Sequence, residues 1–232
     1  YEEKIAGYRN FVNKLWNISR FILTSVDEIK TTKKQPKAKT LADEWILSEF
    51  NEVISEVTKD LDSFKFSAAG EKLYHFTWND FADWYLEISK IEKDKEEILL
   101  YVLERLLVLC QPFIPFVTEV IWKRFGKDDL LMVADWPKAG KINKDTIINF
   151  AELKELVVNL RNLKAANKIP PADLPDCNLV SNILDNNYLQ LAAKMARVNL
   201  TDNKLDVEPI YVNSSKVLID LSKEMSAKEK QD

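Results

Sequence analysis

Along residues 2–29 large apolar side chains recur at helical spacing. At about 100° per residue, Ile5, Tyr8, Phe11, Val12, Leu15, Trp16, Ile18, Ile22, Leu23, Val26 and Ile29 occupy a little under half of the circumference. That pattern predicts an amphipathic helix from Glu2 to Ile29. Arg9, Asn13, Asn17, Arg20 and Thr24 line the opposite side, with Asn10, Lys14 and Phe21 beside them. Phe21 therefore points outward from a polar, basic face, where an aromatic ring gains nothing from core burial.

The pattern then breaks into KTTKKQPKAK, residues 30–39, a basic connector bearing a proline. Thr40 reads as an N-cap, with Asp43 and Glu44 in the first turn facing the positive end of the helix dipole. Leu41, Trp45 or Ile46, Phe50, Val53, Ile54, Val57 and Leu61 form the stripe of a second helix. Ser67 caps a third, Ala68 to Ile91, apolar over most of its surface and so expected at the centre of a bundle. Its polar strip is His75, Asn79, Asp80, Asp83 and Glu87. A fourth helix is predicted over Lys95–Gln111. It is stopped or kinked by Pro112 and Pro115, because proline lacks the N–H and clashes with the preceding turn. A further helix reaches Arg124, and LLMVADWP reads as extended.

Beyond residue 145 the character changes. A helix over 149–166 is followed by the stiff turn KIPPADLP. Then come a strand at Asn178–Val180, a helix at Asn186–Met195, and strands near Val198–Leu200, Ile210–Val212 and Val217–Ile219. The expected architecture is mainly α. A helix bundle over 1–145 precedes a small α+β subdomain over 146–232 that leads into a charged helical tail.

Composition narrows the class. The 232 residues are 46% hydrophobic and 30% charged, enough for a large core, and only 4 are glycine, which disfavours a many-turned β fold. No apolar run approaches the roughly 20 residues of a membrane span. Cys110 and Cys177 lie far apart in no metal-binding spacing, as in a reduced protein. The chain opens inside a helical pattern without an initiator Met, so a piece of a longer protein is expected. The net charge of −4 disfavours nucleic acid taken alone, yet residues 1–40 hold nine Lys and Arg against four Asp and Glu. A phosphate senses only that local excess, because salt screens beyond about 8–10 Å.

Catalytic chemistry is missing. One histidine is too few for a histidine-based metal site or triad, and four scattered glycines make no phosphate loop. Asp80, Asp83 and Glu87 share a strip but have no second carboxylate helix to work with. The residues read as a binding module.

Three stretches carry a resemblance: YRNFVNKLWNISRF (8–21), TLADEWILSEFNEVISEVTKDLDSFKFSAAGEKLYHFTWNDFADWYLEISK (40–90), and LCQPFIPFVTEVIW with the later DWP. They are similar to the anticodon-binding domain of the valyl-tRNA synthetases, class I aminoacyl-tRNA synthetases. LRNLKAANKIPP resembles that family's following stem-contacting segment. Leucyl and isoleucyl enzymes share the proline signature more loosely. The resemblance implies a cytoplasmic, monomeric parent with a separate catalytic domain that carries HIGH- and KMSKS-type motifs and uses ATP and Mg²⁺. It also implies an editing domain and a C-terminal coiled-coil arm. The partners implied here are valine tRNA and the catalytic domain of the same chain, with no cofactor held by this piece.

The resemblance also implies site residues. Arg20 and Phe21 are expected at the anticodon, where a splayed base stacks on an aromatic or guanidinium plane and is bonded on its Watson–Crick edge. Asn17, Arg9, Asn10 and Asn13 join them. Lys14, Arg161, Lys164 and Lys168 are expected at the tRNA backbone, where contacts position rather than specify, and the Lys30–Lys39 loop adds sequence-blind attraction. Trp78 and Trp84 are expected in the core, with Asp80 and Asp83 ordering the arginines of the first helix through charge-assisted bonds. One departure is Glu3, which stands where relatives carry a basic residue. Two other readings remain: the equivalent domain of an isoleucyl or leucyl enzyme, and a helical protein-interaction module with its Arg9–Arg20 face buried.

Overall fold

The computed structural model describes residues 2–30, 32–201, 210–212 and 215–219, with side chains over 7–30 and 32–201. The chain forms two compact units, Tyr1–Lys144 and Asp145–Asp232. The tail beyond residue 219 and the side chain of Glu3, on which two expectations fell, lie outside the described residues.

The first unit is a helical bundle. Helix α1 (Glu2–Ser25) ends four residues before the predicted Ile29. Phe11, Leu15, Ile18 and Ile22 form its buried spine, whereas Tyr8, expected on the apolar stripe, is 69% exposed one turn N-terminal to Phe11. Helix α2 (Leu41–Asp62) opens on a capping box. Thr40 Oγ1 accepts from Asp43 N, and Asp43 Oδ2 accepts from the backbone N–H of Lys39 and Thr40, which satisfies N–H groups the helix cannot.

The third predicted helix is not uniform. Helix α3 (Phe66–His75) starts from Lys65, two residues before the position expected for a Ser67 cap. The chain then widens into ten π-helical residues, Phe76–Tyr85, and tightens again in α4 (Leu86–Ser89). A π turn bonds i to i+5, so it aligns residues four and five apart. Phe76, Phe81 and Tyr85 have that spacing, and their rings stack at 6.1 Å and 6.4 Å. The aromatic sequence thus fills the wider turn, which an α-periodic reading does not anticipate.

The centre of the bundle is α5 (Glu96–Cys110) rather than the third helix. It is buried from Ile98 to Cys110 except at Arg105 and packs on α1, α2, α3 and α6. Helix α6 (Pro115–Arg124) has Pro115 in its first turn, where a missing N–H costs no hydrogen bond. Residues Leu131–Val133 form one 3₁₀ turn before the extended stretch, where sequence alone suggested extension throughout.

One buried cluster joins these elements. Lys95 Nζ lies 2.7 Å from Asp43 Oδ1 and 2.7 Å from Glu92 Oε2, and Tyr85 Oη donates to Asp43 at 2.8 Å. Asp43 and Lys95 are 0% and 2% exposed on their side chains. Burial, with the Asp43 carboxylate beside it, pushes the Tyr85 phenol well above its ordinary value.

The second unit begins with α7 (Lys144–Ala166), which buries Phe150, Leu153, Leu156, Val157 and Leu160 along one face. Strand β1 (Asp176–Ser181), helix α8 (Asn186–Ala196) and strand β2 (Asn199–Leu200) form a parallel crossover. Strands β3 (Ile210–Val212) and β4 (Ser215–Ile219) complete a sheet of order β2-β1-β4-β3, with β4 antiparallel to both neighbours. Asp185 caps α8 through Oδ1, which accepts from Asn187 N and Tyr188 N.

Candidate nucleic-acid interface

Burial of Phe11, Leu15, Ile18 and Ile22 fixes the rotation of α1, and the opposite face follows from it. Arg9, Asn10, Asn13, Asn17, Arg20 and Phe21 are all exposed. They fall within about 120° of arc and span about 18 Å along the axis. From Gly7 to Ser25 the helix carries three cations and no acidic residue. The six residues expected at an anticodon therefore form one strip. The exposure of Arg9 and Arg20 also removes the condition for the protein-interaction reading, a face buried against the third helix.

The strip has an edge that sequence spacing did not reveal. Lys14 Nζ pairs with Asp83 at 2.8 Å, and Lys90 Nζ lies 5.8 Å from the Phe21 ring centroid. Both partners advance by seven residues, so α1 and the rod from the π segment to α4 run side by side in the same direction. Phe21 is 36% exposed, with Lys90 close enough for a cation–π contact. Lys90 is also held by Glu87 at 2.6 Å.

Lys14 departs from its expected role. It is half-buried, its ammonium is 5.0 Å from the Trp78 ring, and Asp83 answers its charge, so it serves the bundle before any phosphate. Asp83 thus takes a lysine rather than an arginine of α1. Asp80, expected on a solvated strip, is buried, with Oδ2 3.4 Å from His75 Nδ1. Trp78 and Trp84 are only half-buried. Phe11, Tyr74 and Trp78 form a stacked column at 5.2 Å and 5.6 Å. Asp80, Asp83 and Glu87 each face a different partner, so they do not converge as a catalytic or metal-binding set. No group of three or more His, Cys, Asp and Glu among the described residues is placed to hold a metal ion. No helix among them is long and apolar enough to cross a membrane.

In the second unit Lys164 must be reassigned. It is 4% exposed, and its ammonium donates to the carbonyl oxygens of Asp173 and Arg197 at 2.7 Å and 2.9 Å. Arg161 is exposed, yet its Nη2 donates to Met195 O at 2.8 Å. Both cations thus serve the carbonyl end of α8, where positive charge is favourable, and Lys164 presents nothing to a phosphate. Lys168 is exposed in the left-handed conformation (φ 57°) just past α7.

A helical bundle with an exposed strip of arginine, asparagine and phenylalanine, and no converging catalytic groups among the described residues, has the make-up of a nucleic-acid-binding module. The chain belongs to the family described as the anticodon-binding domain of tRNA ligase, whose model matches residues 43–181. The matched span begins after α1, so the exposed strip lies outside it. Among similar proteins, the valine–tRNA ligase of Carboxydothermus hydrogenoformans is 37% identical over 190 residues, 77% of this chain and 22% of that protein. Those of Pelagibacter ubique and Pseudothermotoga lettingae are 36% and 38% identical over 192 and 180 residues, covering 77% and 73% of this chain and 22% and 21% of their own length. The chain thus spans about a fifth of the relatives it matches. A ternary complex of Agrobacterium radiobacter K84 LeuRS with tRNA and LeuAMS aligns over 94% of this chain and 25% of that one, at 17% identity and a TM-score of 0.47.

Proposed function

We propose that the chain is the anticodon-reading part of a valine–tRNA ligase, a protein that joins valine to its tRNA at the expense of ATP. The observation that carries this reading is the exposed α1 strip, with Phe21 as its aromatic member. On a family member whose curated relatives are valine–tRNA ligases, such a strip suits single-stranded bases. Phe21 offers a stacking surface, Arg20 a guanidinium, and Asn10, Asn13 and Asn17 amides for base edges. Lys168 and Arg161 are the remaining candidates for the tRNA backbone.

Gly7, Gly70, Gly126 and Gly140 lie in separate parts of the chain and so build no glycine-rich loop for the phosphates of ATP. We assign valine activation, ATP and Mg²⁺ to a catalytic portion of the same protein, working in the cytoplasm as a monomer. A titration with valine tRNA tests the reading, run beside a transcript changed at the middle anticodon base and beside Phe21→Ala. The expected loss is about 1–3 kcal/mol for either change, the worth of one stacked base, with the two losses non-additive. Equal binding of both transcripts would return Phe21 to a packing role.

A further inference from the structure

The connector between α1 and α2 is basic, and it is also fixed. Arg105, on the central helix α5, donates from Nη2 to the carbonyl oxygens of Thr32 and Lys33 at 2.9 Å and 3.0 Å. Its guanidinium lies 3.6 Å from the Tyr101 ring centroid, and Glu104 is 3.4 Å from Nη1. Downstream, Pro36 is buried, Gln35 Oε1 accepts from Asn51 Nδ2 at 3.0 Å, and the N–H groups of Lys39 and Thr40 are held by Asp43. The Thr32 hydroxyl closes a small turn with the backbone of Lys34. The backbone from 32 to 40 is thus tied down at its start, middle and end.

The side chains are left outward. Lys33, Lys34, Lys37 and Lys39 are exposed, and none enters an ion pair among the described residues. Elsewhere in the unit Lys14, Lys72, Lys90, Lys95, Lys127 and Lys144 have acidic partners, and the lysines that lack one, such as Lys59, Lys65 and Lys93, are spread along the chain rather than gathered within seven residues. From Lys30 to Ala42 there is no acidic residue. Four unneutralised ammonium groups on an ordered strap, in a chain of net charge −4, form a local field that suits a polyanion. Ordering in advance lowers the conformational cost of binding one.

We propose that the strap 33–39 is a preformed binding element for the phosphate backbone of RNA, held ready by Arg105 as its positioning residue. The inference rests on the tRNA-binding reading above and names a second, sequence-blind part of that contact. RNA is favoured over a lipid surface because the strap's only apolar residues are Pro36 and Ala38, which leaves no side chain to insert between acyl chains.

The test is a titration of valine tRNA with the chain and with the fourfold variant Lys33→Gln, Lys34→Gln, Lys37→Gln and Lys39→Gln, from about 50 to 200 mM salt. The variant should show a log–log salt slope shallower by about 3–4, close to one per lost phosphate contact. Its discrimination between valine tRNA and the transcript with the altered middle anticodon base should stay intact. Arg105→Gln keeps the lysines and so the slope. It should weaken both transcripts equally and speed hydrogen exchange at residues 32–34. An unchanged slope in the fourfold variant, with anticodon discrimination present, overturns the strap alone. No tRNA binding by the unmodified chain at low salt overturns the tRNA reading and the strap with it. Loss of binding to phosphatidylserine vesicles, with tRNA binding untouched, would assign the strap to a membrane and overturn the proposal.

Discussion

His75 Nδ1 and Asp80 Oδ2 lie 3.4 Å apart, although five residues separate them along one helical rod. On an α-helix, positions five apart point about 140° away from each other. The π turn that begins at Phe76 turns them onto one side, and the same turn places Asp80 inside. Asp80→Ala should cost about 1–3 kcal/mol, the worth of a buried polar group whose partners lose it. Asp83→Ala, at the exposed pair with Lys14, should cost under about 1 kcal/mol. Urea unfolding of the two variants checks the order, and a reversed order would deny the π segment its stabilising role.

The cluster of Asp43, Lys95 and Tyr85 is a buried ion pair with a hydroxyl attached. Removing one partner strands a buried charge, so Lys95→Met should destabilise the first unit by about 3–5 kcal/mol. Lys95→Met combined with Asp43→Asn should recover part of that loss. A double-mutant cycle by chemical denaturation reads the coupling.

On α1 the expectation separates stability from binding. Asn17→Ala and Arg20→Ala alter exposed positions and should leave stability within about 0.5 kcal/mol. Both should weaken valine tRNA binding. Melting temperature and RNA titration on the same samples distinguish this from a packing role, in which the two would fall together.

Lys164→Met removes the ammonium that holds Asp173 O and Arg197 O. It should destabilise the second unit by about 1–3 kcal/mol while leaving the salt dependence of tRNA binding unchanged. A shallower salt slope would restore Lys164 to the RNA surface.

Burial raises the thiols of Cys110 and Cys177 from 9.0 to about 12. The folded state keeps these protons where the unfolded chain has lost them. Their contribution to stability is therefore complete below pH 9 and disappears as pH rises toward 12. Tyr85, shifted in the same direction, adds to this alkaline loss. Iodoacetamide should label neither thiol in the folded chain at pH 8, because the thiolate is the reacting form and both cysteines are buried. Mass spectrometry after a timed exposure shows the outcome.

Sequence patterning located most helices because each follows one dominant rule. Thr40 with Asp43 marks the start of α2, Pro112 and Pro115 the break after α5, and the spine Phe11–Leu15–Ile18–Ile22 the rotation of α1. That rotation is why the exposed strip could be read from residue types and spacing. The π segment was not legible, since Phe76, Phe81 and Tyr85 fit a helical pattern almost as well at one period as at the other. Nor was the fate of the cations: Lys14, Arg161 and Lys164 look alike on paper. Only tertiary contact separates a lysine that meets Asp83 or the end of α8 from one that meets water. Arg105 was invisible for the same reason, since its partners are backbone carbonyls about 70 residues away.

Asn51 is buried, and its side chain serves three masters. Its nitrogen gives one hydrogen to Gln35 Oε1 and the other to Lys141 O, while its oxygen takes the N–H of Gly140. A Cβ on Gly140 would stand 2.6 Å from Gln35 Oε1, so the glycine is part of the same fitting. Aspartate has nearly the same outline as asparagine, but there it would set a negative oxygen against two others. This junction between the strap, α2 and the extended 134–143 stretch therefore discriminates by the identity of one atom, and a change of that atom would loosen three segments of the domain at once.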